Sequence, residues 1–151
     1  MLQKAGAEHL SRLLHREVLE VDGFLRPDRE KVAPDFLLSF AIERLSQDPQ
    51  NSFWWAPRLV IVDRLIVGMC GFKGVPSHDG SVEVGYGIIP SQQRQGFATQ
   101  AVRLLVEDGF SRSKIQTITA CTDPSNIASC KVLEKNQFIC VDRKSDPEDG
   151  E

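Results

Sequence analysis

Apolar and polar positions change period several times along the chain, and each change predicts an element. After Pro34-Asp35, a helix start, apolar residues fall at Phe36, Leu37, Phe40, Ala41 and Leu45, the spacing of one helical face. Asp48-Pro49-Gln50-Asn51-Ser52 closes that helix in a loop. Two short β-rich runs follow, Arg58-Leu59-Val60-Ile61-Val62 and Leu65-Ile66-Val67, with only Asp63-Arg64 between them; they predict a hairpin. Gly68 and Gly71 predict a bend or bulge in the strand after that turn. Ser77-His78-Asp79-Gly80 turns the chain into another apolar run over 82–89, which ends at Pro90. Helical spacing returns over 97–110, with Phe97, Ala101, Leu104, Leu105 and Phe110 on the face expected to be buried. Gln116-Thr117-Ile118-Thr119-Ala120-Cys121 reads as a strand, 126–136 as a second helix, and 138–141 as the start of a final strand. Near the N-terminus, Leu13-Leu14 and Val18-Leu19 are the candidates for a first strand, broken by Pro27-Asp28. A meander followed by strand, helix, strand, helix and strand predicts an α/β fold with a mixed sheet. At 151 residues this is one domain, large enough for a two-layer core.

The most informative stretch lies where the 82–89 run meets the 97–110 helix: Gln93-Arg94-Gln95-Gly96-Phe97-Ala98. A segment poor in bulk that opens a helix leaves several backbone N–H groups free and clustered. The helix dipole adds partial positive charge and Arg94 a full one, which makes a cradle for phosphate or pyrophosphate. Gly96 lets the backbone approach a ligand, and Ala98 keeps the first turn narrow. Neither a Gly-x-Gly-x-x-Gly series nor a Gly-Lys-Ser/Thr is present, so this is not a dinucleotide fingerprint or a P-loop.

Charge narrows the partners. The net charge is −3, and the last ten residues alone hold Asp142, Asp146, Glu148, Asp149 and Glu151 against Arg143 and Lys144. The remainder is balanced, with no basic excess for nucleic acid. That polar tail, 142–151, is expected not to order. No run of about 18 apolar residues exists to cross a membrane, and the charged N-terminus does not read as a secretory signal. Cys70, Cys121, Cys130 and Cys140 lack Cys-x-x-Cys spacing and are expected to be buried thiols, not disulfides or metal ligands. A reducing cytoplasm is the matching location. His9, His15 and His78 read as surface residues.

The cradle has neighbours on both sides. Upstream stand Gly71-Phe72-Lys73-Gly74-Val75-Pro76 and Gly80-Ser81-Val82-Glu83-Val84-Gly85-Tyr86-Gly87-Ile88-Ile89-Pro90; downstream stand Asp123-Pro124-Ser125-Asn126-Ile127-Ala128-Ser129 and Leu133-Glu134-Lys135-Asn136-Gln137-Phe138. Together these resemble the GNAT superfamily of acetyl-CoA-dependent N-acetyltransferases, in the branch that holds the ribosomal-protein N-terminal acetyltransferases, over roughly residues 59–139. The resemblance implies a mostly antiparallel central sheet with helices on both faces, and a single acetyltransferase domain over 1–151. Relatives usually continue through two strands after the Asn-Gln-Phe position. Here 13 residues remain, so the last strand is expected to be missing or short, leaving a sheet edge open to self-association.

The same resemblance implies the chemistry. The pantetheine arm of acetyl-CoA would pair with the backbones of Ile88 and Ile89, and its pyrophosphate would lie on the amides of Arg94, Gln95, Gly96, Phe97, Ala98 and Thr99. Glu83 matches the position of the glutamate often assigned as base. Asn126 and Ser129 match contacts to the pantetheine and near its sulfur. No metal is implied. Read from their own neighbourhoods, Glu83 could be a solvated strand residue, Asn126 a helix cap and Ser129 a helix-face residue; Tyr86, the only tyrosine, could donate a proton to the leaving thiolate, though core packing suits it better. Trp54 and Trp55, read as extended, would point to opposite faces, so at most one would line an acceptor pocket. The implied activity is acetyl transfer to a primary amine, on a small molecule or a protein N-terminus, by direct attack in a ternary complex. The rival is a non-catalytic acyl-CoA-binding or scaffold domain of the same fold.

Overall fold

The structure, a computed structural model, describes residues 1–15, 20–21, 23–27 and 29–141. The predicted strand residues Val18-Leu19 and the tail 142–151 lie outside the described residues.

The sheet is built outward from its most apolar segments. Strands β4 (Arg58–Val62) and β5 (Leu65–Phe72) pair antiparallel. Strand β1 (Leu2–Lys4) adds antiparallel to β4, and β6 (Ser81–Ile88) antiparallel to β5. Strand β7 (Thr117–Ala120) then joins β6 in parallel. A small hairpin of β2 (Glu20–Val21) and β3 (Phe24–Leu25) meets β5 at one position, Leu25 opposite Leu65. The sheet is therefore mixed and mostly antiparallel, and open rather than closed into a barrel.

Helices cover both faces. On one, α1 (Ala7–His15) and α2 (Asp35–Gln47) pack Leu10, Leu13, Leu38 and Ala41 against Leu59, Ile61 and Ile66. On the other, α4 (Phe97–Phe110) sets Ala101 and Leu105 against Val60, Val67, Cys70, Phe72, Val82 and Val84. The short α3 (Ser52–Trp55) precedes β4. Helix α5 (Ile127–Lys135) is tied to α4 by Asn136 Nδ2, which donates to the Thr99 carbonyl at 3.2 Å.

The glycine-marked irregularity in β5 has a structural purpose. Register shifts between Val60 and Ile61 of β4, whose partners in β5 are Gly68 and Ile66. Leu65 and Val67 face the α4 layer before the bulge, and Cys70 and Phe72 face it after. The extra residue thus moves the buried set from odd to even positions, so one strand keeps a single apolar face across a change of phase. Gly68 is required there, because a Cβ would lie 2.2 Å from the Gly87 carbonyl oxygen.

Five expectations need correction. Leu13 and Leu14 belong to α1, not to a strand: with Leu10 they fall at i, i+3 and i+4, and the first strand is instead Leu2–Lys4. In α2 the buried face is Leu38 and Ala41, while Phe36, Leu37 and Phe40 are exposed; in α4 Val102 is buried and Phe110 exposed. Trp54 and Trp55 stand on a helical turn, not an extended run, because Pro49 starts a 3-10 turn that continues into α3. No strand forms over 138–141 among the described residues, where Ile139 and Val141 are 82% and 89% exposed. The backbone there finishes α5 instead. Gln137 sits in the left-handed region at φ 67°, the Phe138 N–H bonds the Leu133 carbonyl, and the Gln137 N–H bonds the Glu134 carbonyl. The thiols also divide: Cys70 is buried, Cys130 half-buried, and Cys121 and Cys140 exposed; Cys121 follows β7, which pairs with β6 alone.

Candidate functional site

Strands β6 and β7 part company partway along β6. Their register runs from Ser81 opposite Thr117 to Val84 opposite Ala120, where β7 ends, while β6 continues to Ile88. Two bonds to β5 fix the alternation: Lys73 N–H to the Glu83 carbonyl and Ile89 N–H to the Val67 carbonyl. Backbone groups of Glu83, Gly85, Gly87 and Ile89 therefore point toward β5, and those of Val84, Tyr86 and Ile88 toward β7. Tyr86 and Ile88 lie past the last β7 pair, so their backbone edge faces a gap. The Ile88 carbonyl accepts from Gln93 Nε2 at 2.9 Å. Ile89 presents nothing to the gap, since its N–H is taken by Val67 and its side chain is buried.

The gap leads onto the start of α4. A 3-10 turn at Pro90–Gln92 is followed by extended Gln93, then by Arg94 at φ 65° and Gly96 at φ 84°. Helix α4 opens at Phe97, and its first backbone bond runs from the Gln100 N–H to the Gly96 carbonyl. The amides of Phe97, Ala98 and Thr99 are orphaned by this geometry, and Gly96 offers no side chain to cap them. A Cβ on Gly96 would meet nothing within 4 Å, so the approach is open; the glycine serves the positive φ. Arg94 is exposed and makes no ion pair among the described residues. The preceding turn is held by Glu30, whose carboxylate accepts from the Ser91 N–H at 2.9 Å and from the Ser91 hydroxyl.

The two faces of β6 beside the gap differ in chemistry. On one, Glu83 Oε2 lies 2.9 Å from Lys73 Nζ, followed by Gly85 and the open Gly87. On the other, the Tyr86 hydroxyl lies 2.7 Å from Ser129 Oγ and donates to the Ser129 carbonyl at 3.2 Å. Burial raises the Tyr86 phenol above its ordinary value, and the Ser129 bond opposes that rise. Asn126 caps α5, its Oδ1 accepting from the Ser129 N–H at 3.0 Å. The turn before it is fixed by Asp123, which accepts from the Ser125 N–H and hydroxyl; these bonds hold its carboxyl below the ordinary range. Among the described residues no three His, Cys, Asp or Glu side chains converge as a metal site would require.

With this geometry in view, residues 5–139 match the acetyltransferase (GNAT) domain family. The chain belongs to the GNAT family. It is similar to the uncharacterized N-acetyltransferase YjdG of Bacillus subtilis, at 38% identity over 74 residues, 49% of this chain and 44% of that protein. It is also similar to the probable N-acetyltransferase YjcK of the same organism, at 34% over 96 residues, 64% of this chain and 52% of that protein. The chain thus spans about half the length of the curated relatives it matches. Its fold is that of aminoglycoside acetyltransferase AAC(6')-Ib in complex with coenzyme A, with TM-score 0.67, 15% identity, and coverage of 99% of this chain and 89% of that one. The ribosomal-protein α-N-acetyltransferase RimL shares it too, with TM-score 0.63, 20% identity, and coverage of 89% and 74%.

In this GNAT chain the residues singled out from sequence fall into one region along β6, the start of α4 and the start of α5. Three pairings were missed: Lys73 with Glu83, Tyr86 with Ser129, and Glu30 with Ser91. For Tyr86 a signal existed, since it continues the Val82, Val84 phase onto the α4–α5 face. Lys73 and Glu30 carry none. Trp54 packs on Phe53 and Phe72, while Trp55 donates Nε1–H to Asp48 and meets Phe40 edge-on. They do face different neighbours, through helical rather than strand geometry. His9 is half-buried, accepting from the Gly6 N–H at the start of α1; His15 and His78 are exposed.

Proposed function

We propose that the chain is one acetyltransferase domain that transfers acetyl from acetyl-CoA to a primary amine by direct attack. The observation that carries this reading is the continuity of the open Tyr86–Ile88 edge with the orphaned amides at Phe97, Ala98 and Thr99. An extended amide chain ending in pyrophosphate needs those two features in that order. The strand edge pairs with the amides of the arm, and the helix start with Arg94 takes the anion. The open space over Gly87 and Gly96 accommodates both.

The chemistry divides between the faces of β6. An alkyl amine is mostly protonated at neutral pH, with a pKa near 10.4, or near 8 for an α-amine. Glu83 is the acceptor of its proton, directly or through water, with Lys73 holding the carboxylate. The freed nitrogen attacks the thioester carbon and gives up its second proton to solvent as the amide forms, while the C–S bond breaks and the electron pair leaves on sulfur. The Asn126–Ser129 end of α5 lies on the other side, where a hydroxyl donor stabilises that charge. AAC(6')-Ib has been seen with coenzyme A and kanamycin, and RimL acts on a ribosomal protein's α-amine. Both an amine-bearing small molecule and a protein N-terminus therefore stand as acceptors. A reducing, cytoplasmic setting suits a buried thiol such as Cys70.

The test is a panel of amines and peptides scored by release of free CoA, with calorimetric CoA titration alongside. Gly96→Asp puts a carboxylate at the cradle at a position whose left-handed φ Asp tolerates. CoA affinity should fall at least tenfold, about 1.4 kcal/mol, with the fold retained; unchanged affinity overturns the cradle. Glu83→Gln should lower kcat on the order of 100-fold with CoA affinity retained. Equal losses in both would make Glu83 a structural partner of Lys73. CoA binding without amine-stimulated release would favour a binding domain over an enzyme.

A further inference from the structure

The hydroxyl pair between Tyr86 and Ser129 joins two elements that are otherwise apart. Tyr86 lies in β6 two residues beyond the last pair with β7, and Ser129 in the first turn of α5. Both are half-buried, and their oxygens lie 2.7 Å apart across the mouth of the gap. Two hydrogen arrangements fit the contacts. In the first, the phenol donates to the Ser129 carbonyl and the serine donates to the phenol oxygen. In the second, the phenol donates to Ser129 Oγ, and the serine proton is free to turn elsewhere. The second becomes favourable when a negative charge arrives within reach of Ser129, because one hydrogen bond strengthens the next.

We propose that Tyr86 is the positioning residue of this site: its phenol holds Ser129 Oγ so that the serine proton points into the gap, where the leaving sulfur develops charge. The inference rests on the transferase reading above. Donation, not proton transfer, is the role. A thiol ionises near 8.5 and a phenol near 10, and burial moves Tyr86 further up. Carrying the phenol proton to the sulfur would run uphill, whereas hydrogen bonds from Ser129 to sulfur and from Tyr86 to Ser129 need no transfer. Both protons stay on their oxygens, and the thiolate takes its own from solvent after release. The raised phenol remains a donor through neutral and mildly alkaline pH. Burial of the ring alone does not account for the arrangement, since core packing on β6 needs no hydroxyl.

The experiment is a double-variant cycle on the full chain, with the best amine of the panel. Tyr86→Phe removes one oxygen and should lower kcat roughly tenfold, the worth of one well-placed hydrogen bond. KM for acetyl-CoA and CoA affinity should stay within about twofold. Ser129→Ala should lose at least as much, and the double variant no more than Ser129→Ala alone. Ser129→Thr keeps the hydroxyl and should keep the dependence on Tyr86. Undiminished kcat in Tyr86→Phe overturns the inference while leaving the transferase reading intact. So do additive losses in the double variant, or a rise in KM in place of a fall in kcat, which would make Tyr86 a packing residue. A wild-type chain that releases no CoA with any amine overturns both.

Discussion

Cys70 shows how much one residue's environment decides. Its thiol is 3% exposed among Val67, Phe72 and Leu105, and burial pushes its pKa from 9.0 up to about 12. The unfolded thiol ionises near 9 while the folded one stays neutral. Its contribution is therefore complete below pH 9 and is lost as pH climbs toward 12, roughly 4 kcal/mol over the whole window. Cys70→Ala removes this titration and leaves a small cavity. Denaturant melts should show wild type more stable at pH 7, with the difference shrinking from pH 9 to 10.5; parallel pH dependence would contradict it. From sequence the four cysteines looked alike. Only burial separates Cys70 from the exposed Cys121 and Cys140.

At the scale of elements, turn chemistry is where local sequence and backbone disagree. Asp63 at φ 49° and Arg64 at φ 67° form the tight two-residue turn between β4 and β5, the primed form that strand twist favours. The expected hairpin is present. Arg64 also donates to the Gly23 carbonyl at 3.2 Å, an exposed bond of small worth. Gln137 holds the same left-handed conformation at the end of α5. An L-residue there costs about 1 kcal/mol relative to glycine, part of which glycine returns through unfolded-chain entropy. Arg64→Gly and Gln137→Gly should each raise stability by about 0.5–1 kcal/mol, and should add, since the sites share no partner. Urea titration of the two single variants and the double tests this; a loss at either would mean that its side-chain contacts outweigh the backbone term. Helix α4 was legible to its last residue because its apolar period and its glycine opening are both local signals. Strand β1 was not, because Leu2, Gln3 and Lys4 show no alternation and become a strand only by pairing with β4.

Across the whole molecule, Arg58 links parts that no local pattern connects. It is 1% exposed, the only charged side chain buried among the described residues. Its guanidinium lies between the Phe53 and Phe72 rings and donates to the Phe53 and Ala56 carbonyls and to Asp108. Burial pulls its pKa below the ordinary value, and Asp108 opposes the shift. The side chain thereby locks α3 and the start of β4 to α4, the helix that opens at Gly96. Arg58→Met keeps much of the volume but strips two carbonyls of their donor. It should cost about 3 kcal/mol, seen as a lower denaturation midpoint with an altered near-ultraviolet signal from the neighbouring Trp54. A change under 1 kcal/mol would make the pair dispensable.

By itself the sequence determined the order of elements from β4 to α5, the tight turn, the glycine-marked bulge and the uncapped helix start at Gly96. Periodicity, turn residues and helix starts act over a few neighbouring positions, so they can be read there. Tertiary structure alone decided which side chains meet: Glu83 with Lys73, Tyr86 with Ser129 and Arg58 with Asp108. It also decided that Ile88, not Ile89, opens onto the gap, because strand register chooses which backbone groups β5 occupies. Such pairings depend on how far one element slides along another and which face it presents. Those choices are settled by packing the whole sheet between its two helical layers.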